Sequence, residues 1–270
     1  FSMLTLGSIL EPLTLLHRKE GDRGSRTLLF GENGTQAVSS GGFVVSCKAG
    51  IESLEQYSSG SASMEILFVC GPSDRVVPFA SGFVSDLRRA HRKGVRIVGL
   101  GNVGWPLADM GLLNNAKATV HWNTLAAFSE ENIFVDVEDQ LFASTGSVTT
   151  SGGETAALDF VLETIAKECP EIAREIADQL LVSVRRDGGT PQPSSELTRM
   201  RNHPAALSSA MLIMLRTQEE PIPTHELARR CGISTRQLER LFRAHLNMSP
   251  MQYYTRIRLE KAHQLVTFTA

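Results

Sequence analysis

An α/β domain built on a mostly parallel sheet with helices on both faces, followed by a small all-α domain, is the fold class this sequence predicts. Three observations carry it. As far as Arg186, short runs rich in Val, Ile, Leu and Phe alternate with helical patterns of 10–15 residues, as parallel strands buried on both faces require. From Ala205 onward only helical periodicity remains. Charge changes with it: residues 199–270 hold eleven Lys/Arg against five Asp/Glu, net +6, and the remainder is net −8. A basic module behind an acidic body points to nucleic acid as a partner of the C-terminal part alone.

Taken in order, residues 1–19 read as a loop and then an amphipathic helix through Ile9, Leu13 and Leu16. Strands are predicted over 26–30, 43–47, 65–70, 95–100, 118–121, 133–137 and 148–150. Helices are predicted over 79–93, 103–110, 122–130, 154–169 and 171–186. The stretch 187–204 has three prolines, a Gly pair and several Ser/Thr, so it reads as a linker. Helices resume over 205–218. A last helix over 250–266 has Ser249 as N-cap, Pro250 at its first position, Gln252 at its third, and a core stripe of Leu259, Ala262 and Val266.

Between those two helices, residues 224–246 have the grammar of a helix-turn-helix. Thr224 follows Pro223 and is placed to cap a short helix that turns Leu227 and Ala228 inward. Cys231-Gly232-Ile233 makes the turn. Ser234 caps the second helix, and Gln237 completes a capping box. Leu238, Leu241 and Phe242 form one apolar face; Thr235, Arg236, Glu239, Arg240 and Arg243 form the other. Arginines so placed suit phosphate oxygens and guanine edges in a major groove. A helical hairpin with a solvated basic face has the same spacing.

The α/β part offers weaker chemistry. Residues 95–104 are a strand turning abruptly into a helix, a turn that can hold a nucleophile above the sheet, but Gly101 stands where Cys or Ser would act. As a GxGxxG loop the same stretch lacks the acid expected about 20 residues on, where Val120 and His121 stand. His121 reads as a structural histidine at a strand end, since no nucleophile accompanies it. Trp122 is either core or an aromatic face for a cation. Glu11 is either solvated or a carboxylate facing the same crevice. Cys70 ends a strand and keeps open a cysteine-dependent amidase, protease or hydratase, although a core cysteine is the plainer reading. Cys47, Cys70, Cys169 and Cys231 have no metal or CxxC spacing, so reduced thiols and no metal are expected. With no run of 18 apolar residues and no signal peptide, no membrane partner and a cytoplasmic location are expected.

The run ISTRQLERLFRAHLNMSPMQYYTRIRLEKAHQL resembles the AraC-type DNA-binding domain. FSMLTLGSILEPL, GLLNNAKATVHW and ADQLL resemble the class I glutamine-amidotransferase-like (PfpI-type) sensor domain, whose sheet is flavodoxin-like. Together they are similar to the GlxA subgroup of AraC-type transcriptional regulators, over essentially the whole chain. The resemblance implies a ligand-sensing domain over 1–186, a linker over 187–203 and the first half of an AraC-type domain over 204–270. It implies a dimeric, sequence-specific activator that binds double-stranded DNA, meets RNA polymerase, needs no cofactor and answers to a small metabolite. Arginine, carnitine and glycine betaine are effectors in the subgroup, so an amino acid or quaternary amine is expected. Carried over by motif, Arg236, Glu239 and Arg240 face bases and Thr235 and Arg243 sit nearer phosphates. Gly101, Asn102, His121 and Trp122 line the ligand crevice. The chain departs from the superfamily's enzymes at Gly101, where they carry Cys, and at Thr5, near which many have an acid. It also shows neither the first strand that would precede Phe1 nor a second helix-turn-helix unit.

Overall fold

The computed structural model describes residues 1–21, 26–32, 34–51, 64–192 and 203–268. The chain divides into two compact units, Phe1–Thr190 and Pro191–Ala270.

The first unit opens with α1 (Met3–Glu20), capped by Ser2, whose hydroxyl accepts the Thr5 N–H. Short pieces follow: β1 (Phe30–Gly31) pairs in parallel with β4 (Ala49–Gly50), and β2 (Gln36–Val38) pairs antiparallel with β3 (Val44–Ser46). Next come β5 (Ile66–Cys70), α2 (Ser81–Arg92), β6 (Arg96–Leu100), a 3₁₀ turn at Gly101–Val103 and α3 (Gly104–Asp109). The unit continues through β7 (Lys117–Ala118), α4 (Leu125–Glu131), β8 (Asp136–Val137), β9 (Phe142–Thr145) and β10 (Val148–Ser151). It closes with α5 (Thr155–Glu168) and α6 (Pro170–Gln179). The main sheet runs β5-β6-β10-β9; the first three strands are parallel and β9 is antiparallel.

β6 explains why this sheet is covered on both faces. Val98 and Leu100 enter an apolar cluster with Ile9 of α1 and Phe160 of α5. On the other face α3 comes so near that a Cβ on Gly99 would lie 2.8 Å from Leu107 Cδ1. A strand enclosed this way must be apolar throughout, which is what made it readable. Among the described residues, β5 pairs only with β6.

Several predicted elements shift. The strand over 26–30 shrinks to Phe30–Gly31, and the one over 43–47 is half of an antiparallel hairpin. The strands over 118–121 and 133–137 reduce to two-residue pieces, while β9 was not anticipated. The helix over 171–186 ends at Gln179. Leu181 takes φ 58°, and the Val182 N–H returns to the Ala177 carbonyl at 2.8 Å, closing the helix as a Schellman-type cap without glycine. The chain past the cap brings Arg186 to Asp159, a carboxylate only 4% exposed, which accepts both the Arg186 backbone N–H (2.9 Å) and Nε–H (2.8 Å). A buried carboxylate without such a partner is strongly penalised.

In the second unit α7 (Ala205–Arg216), α8 (Thr224–Arg230), α9 (Thr235–Leu246) and α10 (Pro250–Phe268) share one core. Tyr253, Tyr254 and Phe242 are its largest fully buried side chains. Tyr254 also donates its hydroxyl to the Thr217 carbonyl at 2.8 Å, tying α10 to the end of α7. Two expectations fail here. Thr224 is the first residue of α8, not its cap; Pro223 holds the cap position without a side-chain hydrogen bond. The stripe Leu259–Ala262–Val266 is not core, since Leu259 is 64% and Val266 82% exposed. The core ends at Ile257, and no described element covers the helix beyond it. No helix among the described residues is long and apolar enough to cross a membrane.

Candidate functional site

The hairpin of α8 and α9 is assembled from local signals. Gly232, between the helices, sits at φ 69°, where a side chain would be strained. Ser234 Oγ accepts the Gln237 N–H at 3.2 Å, and Gln237 Oε1 accepts the Ser234 N–H at 2.9 Å, a complete capping box. Leu238 and Phe242 are fully buried, and Phe242 meets Tyr253 edge to face at 5.5 Å. That packing fixes the rotation of α9. Arg236, Glu239, Arg240 and Arg243 are therefore exposed together, with Thr235 half-buried in the first turn.

Charge pairing separates the two helices. On α8, Glu226 accepts Arg229 Nε–H at 2.7 Å and Arg230 Nε–H at 2.9 Å. Those hydrogen bonds, the Arg229 one foremost, hold its carboxyl at a pKa of about 2. On α9, no hydrogen bond or ion pair to a described residue engages the side chains of Arg236, Arg240 or Arg243. Guanidiniums without internal partners are free to meet phosphates and base edges.

In the α/β unit, the ends of β5, β6 and β10 meet at a crevice. Gly101 has φ 75°, and a Cβ there would stand 3.0 Å from the Pro72 carbonyl oxygen. Asn102, 2% exposed, donates Nδ2–H to the carbonyls of Ser73 and Arg75, each at 3.2 Å, and accepts the Thr124 hydroxyl at 2.7 Å. Asn123 donates to the same Ser73 carbonyl at 2.9 Å and holds His121 Nδ1 at 2.7 Å. Burial lowers the His121 pKa, against the raising effects of Asn123 and Glu154, so the ring is neutral at pH 7. Trp122 is 37% exposed, its ring 5.5 Å from that of His121.

Gly101, Asn102, His121 and Trp122 are thus brought together, but Glu11 is not. It stands exposed on α1, nearly two turns beyond Thr5. The crevice carboxylate is Glu154, at the head of α5, which the sequence reading passed over. The signal was there in the pair Gly152-Gly153 between a strand and a helix. Glu154 accepts the hydroxyls of Ser2 and Ser73, each at 2.7 Å, and its N–H donates to Thr5 Oγ1 at 2.7 Å. Thr5 therefore occupies an acid's expected place by clamping an acid's backbone. Burial pushes the Cys70 thiol up to about 12, which leaves no thiolate at neutral pH.

A larger groove of about 1630 Å³ runs along β5 between α1 and the 26–30 segment. Its walls are mainly α1, α5 and the β5 edge, so it belongs to the unpaired side of the strand more than to the crevice. No group of three or more His, Cys, Asp or Glu among the described residues is arranged to hold a metal ion.

A helix-turn-helix domain family matches residues 227–270. The chain is 32% identical over 270 residues to the HTH-type transcriptional regulator CdhR of Pseudomonas aeruginosa, covering all of this chain and 78% of that protein. It is 32% identical over 272 residues to the HTH-type transcriptional regulator GlxA of Rhizobium meliloti, covering 98% of this chain and 81% of the relative. Among solved structures, a ThiJ/PfpI family protein from Pseudomonas syringae aligns with a TM-score of 0.55 at 17% identity, over 86% of this chain and 84% of that one. That last likeness concerns the fold alone.

Proposed function

The chain belongs to the family of HTH-type transcriptional regulators that includes CdhR and GlxA, pairing a PfpI-like α/β fold with an AraC-type helix-turn-helix, and on that premise we propose how its parts work. The HTH unit reads promoter DNA, and a small metabolite bound in the α/β unit controls it. The supporting observation is the outer face of α9, where Arg236, Arg240 and Arg243 stand exposed without partners on a helix locked by Leu238 and Phe242. Arg236, Glu239 and Arg240 meet bases; Thr235 and Arg243 meet the backbone. Residues 187–203 link sensor to reader. The working form is a cytoplasmic homodimer that activates through RNA polymerase.

In the sensor, Gly101 and Asn102 shape the crevice more than they touch a ligand. Every polar side-chain atom of Asn102 already has a partner. His121 and Trp122 offer a neutral imidazole and an open aromatic edge. The effector class that suits them is an amino acid or quaternary amine. A cysteine-dependent enzyme is the weaker reading, because Gly101 replaces the nucleophile and Cys70 stays protonated.

Fluorescence anisotropy with duplex DNA tests this reading. Affinity is expected to fall steeply with salt, because each phosphate neutralised contributes about −0.9 to the log–log slope. Arg243→Ala is expected to make that slope shallower by about 1. Adding the effector is expected to change the affinity. Binding that ignores both salt and all metabolites would contradict the proposal.

A further inference from the structure

We propose that Glu154 reads the charge of the effector, and that the cavity of about 470 Å³ beside it takes a small ligand with a cationic head and an apolar body. This rests on the reading of the α/β unit as the sensor and names the residue and the place.

The cavity lies between the first turn of α1, the tip of the β2–β3 hairpin and the loop after β5. Its size falls within the usual range for small-molecule sites. Met3, Leu4 and Phe43 supply apolar walls and are 43%, 53% and 66% exposed, an unusual gathering of open apolar side chains beside a carboxylate. The hairpin tip is held in place: the Ser40 N–H donates to the Phe1 carbonyl at 2.8 Å, and the Phe43 N–H donates to Ser39 Oγ at 3.0 Å. Phe43 is thereby fixed at the cavity, where an aromatic face attracts a cation.

Glu154 itself supplies two independent observations. Its charge is uncompensated. Both carboxylate oxygens accept hydroxyls, and no ion pair to a described residue engages them, whereas Asp74 on the same cavity has Arg75 at 3.3 Å. Nearby His121 stays neutral and adds no positive charge. Its backbone is also strained, with φ 51° and ψ −132°, a conformation suited to glycine. Relaxation required only a third glycine after Gly152-Gly153. A carboxylate kept there at a cost to the fold, aimed by two serine hydroxyls and lacking a counter-ion, matches a ligand that brings the positive charge.

Matched ligand pairs differing only in that charge test the assignment: glycine betaine against its carbon isostere 3,3-dimethylbutanoate, and L-arginine against L-citrulline. Calorimetric titration of the full chain is expected to show at least one cation binding about tenfold or more tighter than its neutral partner, the discrimination one charged contact supplies. Glu154→Gln is expected to bring that ratio close to one. Glu154→Gly is expected to do the same with an unchanged or raised melting temperature, which excludes misfolding as the cause. Equal binding of cation and neutral partner by the parent chain overturns the proposal, as does a ratio that survives Glu154→Gln. If a neutral or anionic metabolite alters DNA affinity while none of the cations binds, the sensor reading stands and Glu154 loses its role. If no metabolite alters DNA affinity, both fall.

Discussion

The two units carry their polar residues in opposite ways. On α9, Arg236, Arg240 and Arg243 face solvent with no partner among the described residues. In the crevice, Asn102, His121, Asn123 and Thr124 engage one another and nearby carbonyls. The first arrangement leaves interactions to be completed by a partner. The second holds a turn in shape and leaves one charge, that of Glu154, without a counter-ion. A surface that meets a polyanion is built from unspent donors, whereas a crevice that discriminates a small molecule is built from spent ones that keep its walls fixed.

Substitutions should break this contrast in a definite order. Phe242→Ala empties the center of the HTH core and is expected to cost about 3–5 kcal/mol, enough to unfold that unit and abolish DNA binding together. Chemical denaturation followed by circular dichroism measures it. Asn102→Ala leaves two carbonyls and a buried hydroxyl unpaired and is expected to cost about 2–3 kcal/mol in the α/β unit, with the HTH unit's transition unmoved. Loss of both transitions would show that the two units do not melt separately. Arg240→Ala is expected to weaken specific DNA binding by about 1–3 kcal/mol while stability stays within about 0.5 kcal/mol. A comparable loss of stability would make Arg240 structural.

The smallest effect is a pH slope. His121 has a folded pKa below its ordinary 6.5, so on acidification the unfolded chain takes the proton first. Stability is therefore highest above about pH 7 and falls as pH drops through 6.5 toward the folded value. Melting temperatures between pH 8 and 5 should show the decline in the α/β unit, and His121→Asn should flatten it. An unchanged slope in that variant would assign it to other groups.

How much of this was legible in the sequence follows the same contrast. The capping boxes at Ser234 and Ser249 and the inward Leu238 and Phe242 depend on residues three or four apart, so they could be read directly. The enclosed strand β6 was equally plain. Strand pieces of two or three residues, such as β7 and β8, are shorter than any periodicity can reveal. The Schellman-type cap at Leu181 used no glycine and gave no signal. The stripe at Leu259 and Val266 had helical spacing, but spacing does not say whether anything packs against it. Glu154 was missed because its partners, Ser2 and Ser73, lie 152 and 81 residues away, and only the fold brings them together. Glu11 was favoured over it for its place in a motif, and a helix face decided otherwise.

The central claim, that α9 reads DNA sequence through its unpaired arginines, is tested most directly by selection from a random duplex library, with the full chain and with Arg240→Ala in parallel. The account predicts that the parent chain enriches a defined motif and that Arg240→Ala recovers the same motif with preference lost at one base position. No enrichment by the parent chain, or an identical motif from the variant, would contradict it.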